Sequence, residues 1–321
     1  MIYKNIEILV DKYDAFFIDV YGVIFDGYDL YAGVLDILAN IKRKNKKVII
    51  LSNTTVLSEN CKAFYGKLGL IQGTHYDEFV TSGEAFRNDL AQLEAKSVHQ
   101  IFLRNKNLFS GTGISEVDTI EKADFIYVGA LGDKSHPFLA DDLKTKSGAG
   151  IPIEDLLNFN AEDIAGFEKI DEILKECLKY KKTLFVVNPD IFALEEISGK
   201  RRALLCQGAI GKLYENLGGE VKYFGKPYQN IYNFAKSLVG GQDKTAMIGD
   251  TPWTDILGGN MAGIDTILVL TGVTGRFLSE FSEKSTEQKF ERLLREISPK
   301  MKTQHFAEQD QIPTYMAERF A

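Results

Sequence analysis

Five side chains able to do chemistry share one local context: Asp19 in FFIDVYGV, Ser52 in IILSNTT, Lys226 in YFGKP, and Asp250 with Asp255 in MIGDTPWTD. Each follows a run of β-prone apolar residues and precedes a helical stretch, where open α/β sheets present ligand-binding groups at the carboxyl ends of their strands. One nucleophilic carboxylate, one hydroxyl, one ammonium and two further carboxylates suit a magnesium and phosphate site. A phosphate ester repels an incoming nucleophile unless its oxygens are neutralised and the attack is held in line. Mg2+ prefers octahedral oxygen ligation by one or two carboxylates with waters and substrate phosphate. Asp19 and Asp250 fit that role, with Asp255 as a further ligand or the holder of a water. Asp19 can then attack phosphorus and form an aspartyl phosphate that water hydrolyses. Lys226 suits one phosphate oxygen as a compact charge, and Ser52 a second, helped by backbone N–H groups at a helix start near Asn53.

Taken singly, each motif has an ordinary reading. An aspartate after a strand is in most chains a turn or cap residue, GKP a surface turn, GDxxxxD a loop with a capping aspartate, and SNTT a helix N-cap. The four together, in this order and each at a strand end, are what point to a site.

The elements that would position them alternate as in a parallel sheet. DAFFID and KVIILS read as strands around a helix, YAGVLDILANIKRKNK, with a basic last turn, and a helix over about 58–68 stops at Gly69. EFVTSGEA reads as a strand and a helix start. VKYFGKP, KTAMIGD and DTILVL return the pattern, with helices over 231–238 and about 254–262. The middle offers strands HQIFLR, DFIYVGAL and TLFVVN, a helix over about 170–180 and a polar segment over 132–165, with no chemical motif of the first kind. It reads as a second α/β domain, residues 84–205, inserted into a discontinuous core of residues 1–83 and 206–321.

Bulk properties narrow the classes. A chain of 321 residues with 45% hydrophobic content supports one large or two moderate domains. A net charge of -7 argues against a broad nucleic-acid surface. No stretch reaches the roughly 20 apolar residues of a membrane span, and the N-terminus has no cleavable apolar core, so a soluble, cytoplasmic protein with no membrane partner is expected. Cys61, Cys177 and Cys206 show no pairing pattern and read as reduced thiols. His75, His99, His136 and His305 lie far apart without metal-type spacing, and neither nucleotide fingerprint, GxGxxG or GxxxxGK[ST], occurs.

DVYGVIFDG, LSNTT, VNPD ending at Asp190, FGKP and GDTPWTDILGGNMAGIDTILVLTGVT resemble the haloacid dehalogenase (HAD) superfamily of aspartate-nucleophile hydrolases. The likeness is greatest to its class IIA branch of sugar-phosphatase and 4-nitrophenyl-phosphatase-like members, and covers most of residues 14–274. It implies a Rossmann-like parallel-sheet core with an inserted α/β cap domain (class IIA, C2-type), the cap falling in the inserted middle. It implies Asp19 as nucleophile and magnesium ligand, the backbone carbonyl of Tyr21 as another ligand, and Ser52 as the phosphate-binding hydroxyl. Lys226 becomes the charge-stabilising lysine, Asp250 the direct metal ligand and Asp255 its partner. Asn188 and Asp190 become candidates for the substrate-facing side of the cap, although NPD is also a common turn at a strand end.

The chain departs from the family at one position. Family phosphatases carry a second aspartate two residues after the nucleophile, as acid to the leaving oxygen and base to water; here Tyr21 stands there. A phenol, with a reference pKa of about 10, donates a hydrogen bond but is a feeble base, and general acid–base help is worth roughly 10²–10⁴ in rate. Three readings follow. The first, adopted here, is a magnesium-dependent phosphatase of phosphorylated small molecules, slowed by Tyr21, helped by good leaving groups or by Asp26 as substitute acid. The second is a catalytically weak binder of a phosphorylated ligand or a partner. The third is a 2-haloacid dehalogenase, against which Asp250 and Asp255 stand because that chemistry uses no magnesium. Beyond Gly275 an amphipathic charged stretch to about Ile297 reads as a helix covering the sheet edge, with a homodimer contact as the alternative. Residues 298–311 read as a polar loop, and IPTYMAERFA as a terminal element packed on the core.

Overall fold

The structure, a computed structural model, describes residues 2–102, 104–131, 151–152, 167–197, 200–240, 244–301, 303 and 308–321. Most of the segment over 132–165, together with His136 and His305, lies outside them. The chain forms two compact units, Met1–Ala85 with Gly225–Ala321, and Phe86–Phe224.

In the first leg of unit 1 the strands are β1 (Ile2–Tyr3), β2 (Ala15–Ile18), β3 (Lys47–Ser52) and β4 (Glu78–Thr81). Unit 2 holds β5 (Ser97–Ile101), β6 (Ser115–Glu116), β7 (Phe125–Val128), β8 (Ile151–Pro152), β9 (Leu184–Val186), β10 (Phe192–Ile197), β11 (Lys200–Leu205) and β12 (Val221–Tyr223). The second leg of unit 1 adds β13 (Thr245–Gly249), β14 (Asp265–Val269) and β15 (Tyr315–Ala317).

Unit 1 is built on a seven-stranded, wholly parallel sheet in the order β1-β15-β14-β13-β2-β3-β4. Its central strands read as unbroken apolar runs because both faces are covered. Phe16, Ile18, Val48, Ile50, Ala246 and Ile248 point into one core, and Ala15, Phe17, Ile49, Leu51 and Met247 into the other. The first core takes Val34, Ile37, Leu38 and Ile41 of the helix Val34–Arg43. That helix starts at Gly33 in a left-handed conformation, has Asp36 in its first turn and Lys42 and Arg43 in its last, charges that complement its dipole. The second core takes Ile231, Tyr232 and Ala235 of the helix Gln229–Leu238. Strand order reverses between β2 and β13, and at such a switch point the loops leaving the carboxyl ends diverge and open a crevice.

Unit 2 has a five-stranded parallel sheet, β12-β9-β7-β5-β6, and a three-stranded antiparallel sheet, β10-β11-β8. The chain thus returns to unit 1 at Gly225, later than the expected residue 206. Two elements account for the difference. The helix Gln207–Asn216 belongs to unit 2, and VKY, read as a core strand, pairs with β9 as β12. A short strand signal is the same whichever sheet receives it.

The C-terminal region also differs in part. The charged stretch is two helices, Gly272–Glu280 and Thr286–Arg292, the second capped by Ser285, whose hydroxyl accepts the Gln288 N–H at 3.2 Å. It continues through a π-helical turn, Leu293–Ile297, into Ser298–Met301, so SPKM is helical rather than loop. The expected terminal element is β15. With β1 it extends the sheet beyond β14, so strands from the first and last described residues form that edge.

Candidate active site

Asp19 directly follows β2, Ser52 ends β3 and Asp250 directly follows β13. The β2–β13 switch point therefore sets the first and last of these carboxylates on neighbouring strands, and the Asp19 backbone N–H continues the ladder to Ile248 at 2.9 Å. Asp255 arrives on a π-helical turn, Pro252–Ile256, which leads into the helix Leu257–Met261 in place of the single helix expected over 254–262. Gly249 makes this approach possible, since a Cβ there would stand 2.1 Å from that of Asp255.

These residues meet in a buried cluster, with Asp19 9%, Ser52 4%, Lys226 2%, Asp250 2% and Asp255 0% exposed. Lys226 Nζ donates to Asp19 Oδ1 and, at 2.8 Å, to Asp255 Oδ1. The other oxygen of Asp255 accepts the Thr251 N–H at 3.0 Å and its hydroxyl at 2.8 Å, and Tyr232 donates to the Asp255 carbonyl at 3.1 Å. Asp250 Oδ2 accepts the Val273 N–H at 2.5 Å. Two glycines pack against that oxygen: a Cβ on Gly22 would lie 2.2 Å from it and one on Gly272 2.0 Å.

Asn53 acts differently from the expected helix start. The helix there begins at Ser58, behind a loop. The Asn53 side chain instead clamps the Lys226 peptide, donating to its carbonyl at 2.9 Å and accepting its N–H at 2.6 Å. Ser82 fixes the same loop by donating to the Asn53 and Thr54 carbonyls at 2.7 and 2.9 Å, and Ser52 Oγ accepts the Thr54 N–H at 3.3 Å.

Three carboxylates face one ammonium. Burial pushes Asp19 up to about 7, against the pull of Lys226 and with the push of Asp255. Asp250 is raised well above the ordinary carboxylate range by burial, then by Asp255 and Asp19. Burial would discharge Lys226, but the charges of Asp19 and Asp255 outweigh it and raise its pKa. Donor oxygens of Asp19, Asp250 and Asp255 lie within 4.8 Å of one another. Such a set of buried, undercompensated hard oxygen donors fits a divalent cation.

Tyr21 is 57% exposed, its ring set edge-on to Phe25 at 5.3 Å. Tyr65 is buried between Phe25, Phe64 and Phe79. Asp26 serves as a turn cap, its Oδ1 accepting the N–H groups of Tyr28 and Asp29, both at 2.8 Å. Asn188 and Asp190 belong to unit 2, where Asn188 Oδ1 accepts the Asp190 N–H at 3.0 Å. The sequence gives no role to Tyr232, nor to Thr251 and the Thr271–Val273 segment, although these last two lie within GDTPWTDILGGNMAGIDTILVLTGVT and TGVTG follows the strand DTILV much as the other motifs follow theirs.

Among the described residues no helix is long and apolar enough to cross a membrane. Phosphoglycolate phosphatase 1A, chloroplastic, of Arabidopsis thaliana is 24% identical over 293 residues, 89% of this chain and 76% of that protein. The fold is similar to that of a haloacid dehalogenase-like hydrolase from Brucella suis 1330, with a TM-score of 0.69, 22% identity and 99% of both chains covered. It is also similar to a possible HAD-superfamily sugar phosphatase from Cytophaga hutchinsonii, with a TM-score of 0.68, 21% identity, and 99% and 98% covered. A haloacid dehalogenase-like hydrolase family model matches residues 16–110 and a HAD-hydrolase-like model residues 223–292, stretches that between them carry every member of the buried cluster. The chain belongs to the haloacid dehalogenase-like hydrolases.

Proposed function

We propose that the chain is a magnesium-dependent phosphatase of phosphorylated small molecules that works through an aspartyl phosphate on Asp19. The observation that carries this reading is the convergence of Asp19, Lys226, Asp250 and Asp255 in one buried cluster at the sheet's switch point. Asp19, Asp250 and the Tyr21 carbonyl, with Asp255 beside them, would hold the magnesium ion, whose charge would cover the phosphate oxygens. Lys226 orients the Asp19 carboxylate and reaches one phosphate oxygen; Ser52 donates to another, and Asn53 keeps the lysine in place. An Asp19 oxygen forms the bond to phosphorus as the ester P–O bond breaks and the leaving oxygen takes the electron pair. Water then attacks phosphorus, the Asp19 carboxylate is restored, and the proton of water passes to solvent.

Tyr21 sets its ring edge-on against Phe25 and Asp26 caps a turn, so neither is placed in advance as a base. The phosphatase therefore favours leaving groups that depart without a proton, aryl and acyl phosphates above alkyl ones. We read unit 2 as the cap, with Asn188 and Asp190 on its substrate side, and cytoplasmic location from the free cysteines. The names of the relatives make phosphorylated carboxylic acids and sugars the first natural panel. The alternative, a phospho-ligand binder with little turnover, is favoured by Tyr21 alone. The deciding assay is release of 4-nitrophenol from its phosphate. Dependence on magnesium and loss in Asp19→Asn support the phosphatase. Cation binding with no release from any phosphorylated compound supports the binder, and halide release from a 2-haloacid with chelator present would replace both.

A further inference from the structure

We propose that Thr271 is a positioning residue of the divalent-cation site, its hydroxyl stapling the turn after Asp19 to the turn behind Asp250. This rests on the metal reading above. Thr271 is the N-cap residue of the helix Gly272–Glu280 and has the extended backbone such residues adopt. A threonine there ordinarily accepts an N–H from the first helical turn through its own hydroxyl. Here it does not. The N–H of Val273 is taken by Asp250, and the Thr271 hydroxyl donates instead to the carbonyl of Gly22, 249 positions away.

The exchange has two effects. Asp250 becomes the helix cap, which commits Oδ2 to the backbone and leaves Oδ1 for a cation. Gly22 follows Tyr21 directly, so holding its carbonyl fixes the peptide beside the carbonyl proposed as a metal ligand. The two turns lie in near contact, since a Cβ on Gly272 would stand 2.5 Å from Gly22 Cα, and both glycines hold positive φ, +78 and +53°. A staple across so close an approach sets the separation between the two ligand-bearing loops. Loss of a group that orients metal ligands from behind typically costs 10- to 100-fold in metal affinity.

The test reads metal affinity, not turnover: Mn2+ titration followed by electron paramagnetic resonance, and Mg2+ by calorimetry, on full-length protein. Thr271→Val, nearly equal in shape but without the hydroxyl, is expected to raise the dissociation constant at least about 10-fold, and Thr271→Ser to restore it. Thr271→Ala carries the same expectation should the valine variant not fold. A folded Val or Ala variant with wild-type affinity overturns the proposal, as does a Ser variant as weak as Val. A wild-type protein that binds no divalent cation instead overturns the metal reading beneath it.

Discussion

Replacing Lys226 by methionine removes the ammonium while keeping most of the side-chain bulk. Lys226 is 2% exposed and holds two buried carboxylates, Asp19 and Asp255. Removing one member of a buried ion pair costs about 3–5 kcal/mol, because its partner is left charged and dry. Asp19, already pushed up to about 7, relieves part of that by taking a proton, so the lower end applies. At about 2–4 °C per kcal/mol for a unit of this size, the cation-free variant should melt roughly 6–12 °C below wild type. Magnesium should return more stability to the variant than to wild type, since three carboxylates then lack their internal counter-charge; occupancy at 100 times Kd is worth about 2.7 kcal/mol. Calorimetry with and without magnesium reads both quantities, and single-turnover release of 4-nitrophenol should fall by about 10²–10³. An unchanged cation-free Tm with near wild-type release would refute the view that Lys226 neutralises and aims Asp19.

Three further outcomes follow from the same geometry. Tyr21→Asp should raise monoester turnover, most for alkyl phosphates, by up to roughly 10²-fold, the low end of general acid–base help; an unchanged or lower rate contradicts the account of the missing acid. Without metal, stability should fall as pH rises from about 4 to about 7. Asp19 in the folded protein keeps a proton the unfolded chain has already released, and Asp250 acts in the same direction. Urea midpoints that climb across that window would contradict this. Gly22→Ala, with φ +78° and a Cβ that would meet Asp250 Oδ2 at 2.2 Å, should cost more than about 1 kcal/mol and abolish Mg2+ binding by calorimetry.

Much of unit 1 was legible because its central strands are buried on both faces. FFI, VIIL and TAMIG announce themselves without alternation, and the groups after them fall at carboxyl ends by construction. What escaped was pairing between distant segments. Nothing in VKY says that it joins β9, and nothing in MIYK says that Ile2 and Tyr3 lie beside Met316 and Ala317. The role of Asn53 was also hidden, because its partner is the peptide of Lys226 and only folding joins them. The capping exchange at Thr271 runs against local preference. Helix propensity predicts that a threonine caps its own helix, and here tertiary contacts override it.

The reciprocal bonds between Asn53 and the Lys226 peptide join the two legs of unit 1 across the whole excursion of residues 86–224. Every member of the buried cluster comes from one leg or the other. Because closing a loop costs only about 0.6 kcal/mol more for each doubling of its length, the clasp holds almost regardless of what is threaded between its ends. The reacting centre is in this sense indifferent to its insert. An ancestral gene could exchange that module for another and change what is hydrolysed while leaving untouched the groups that hydrolyse it.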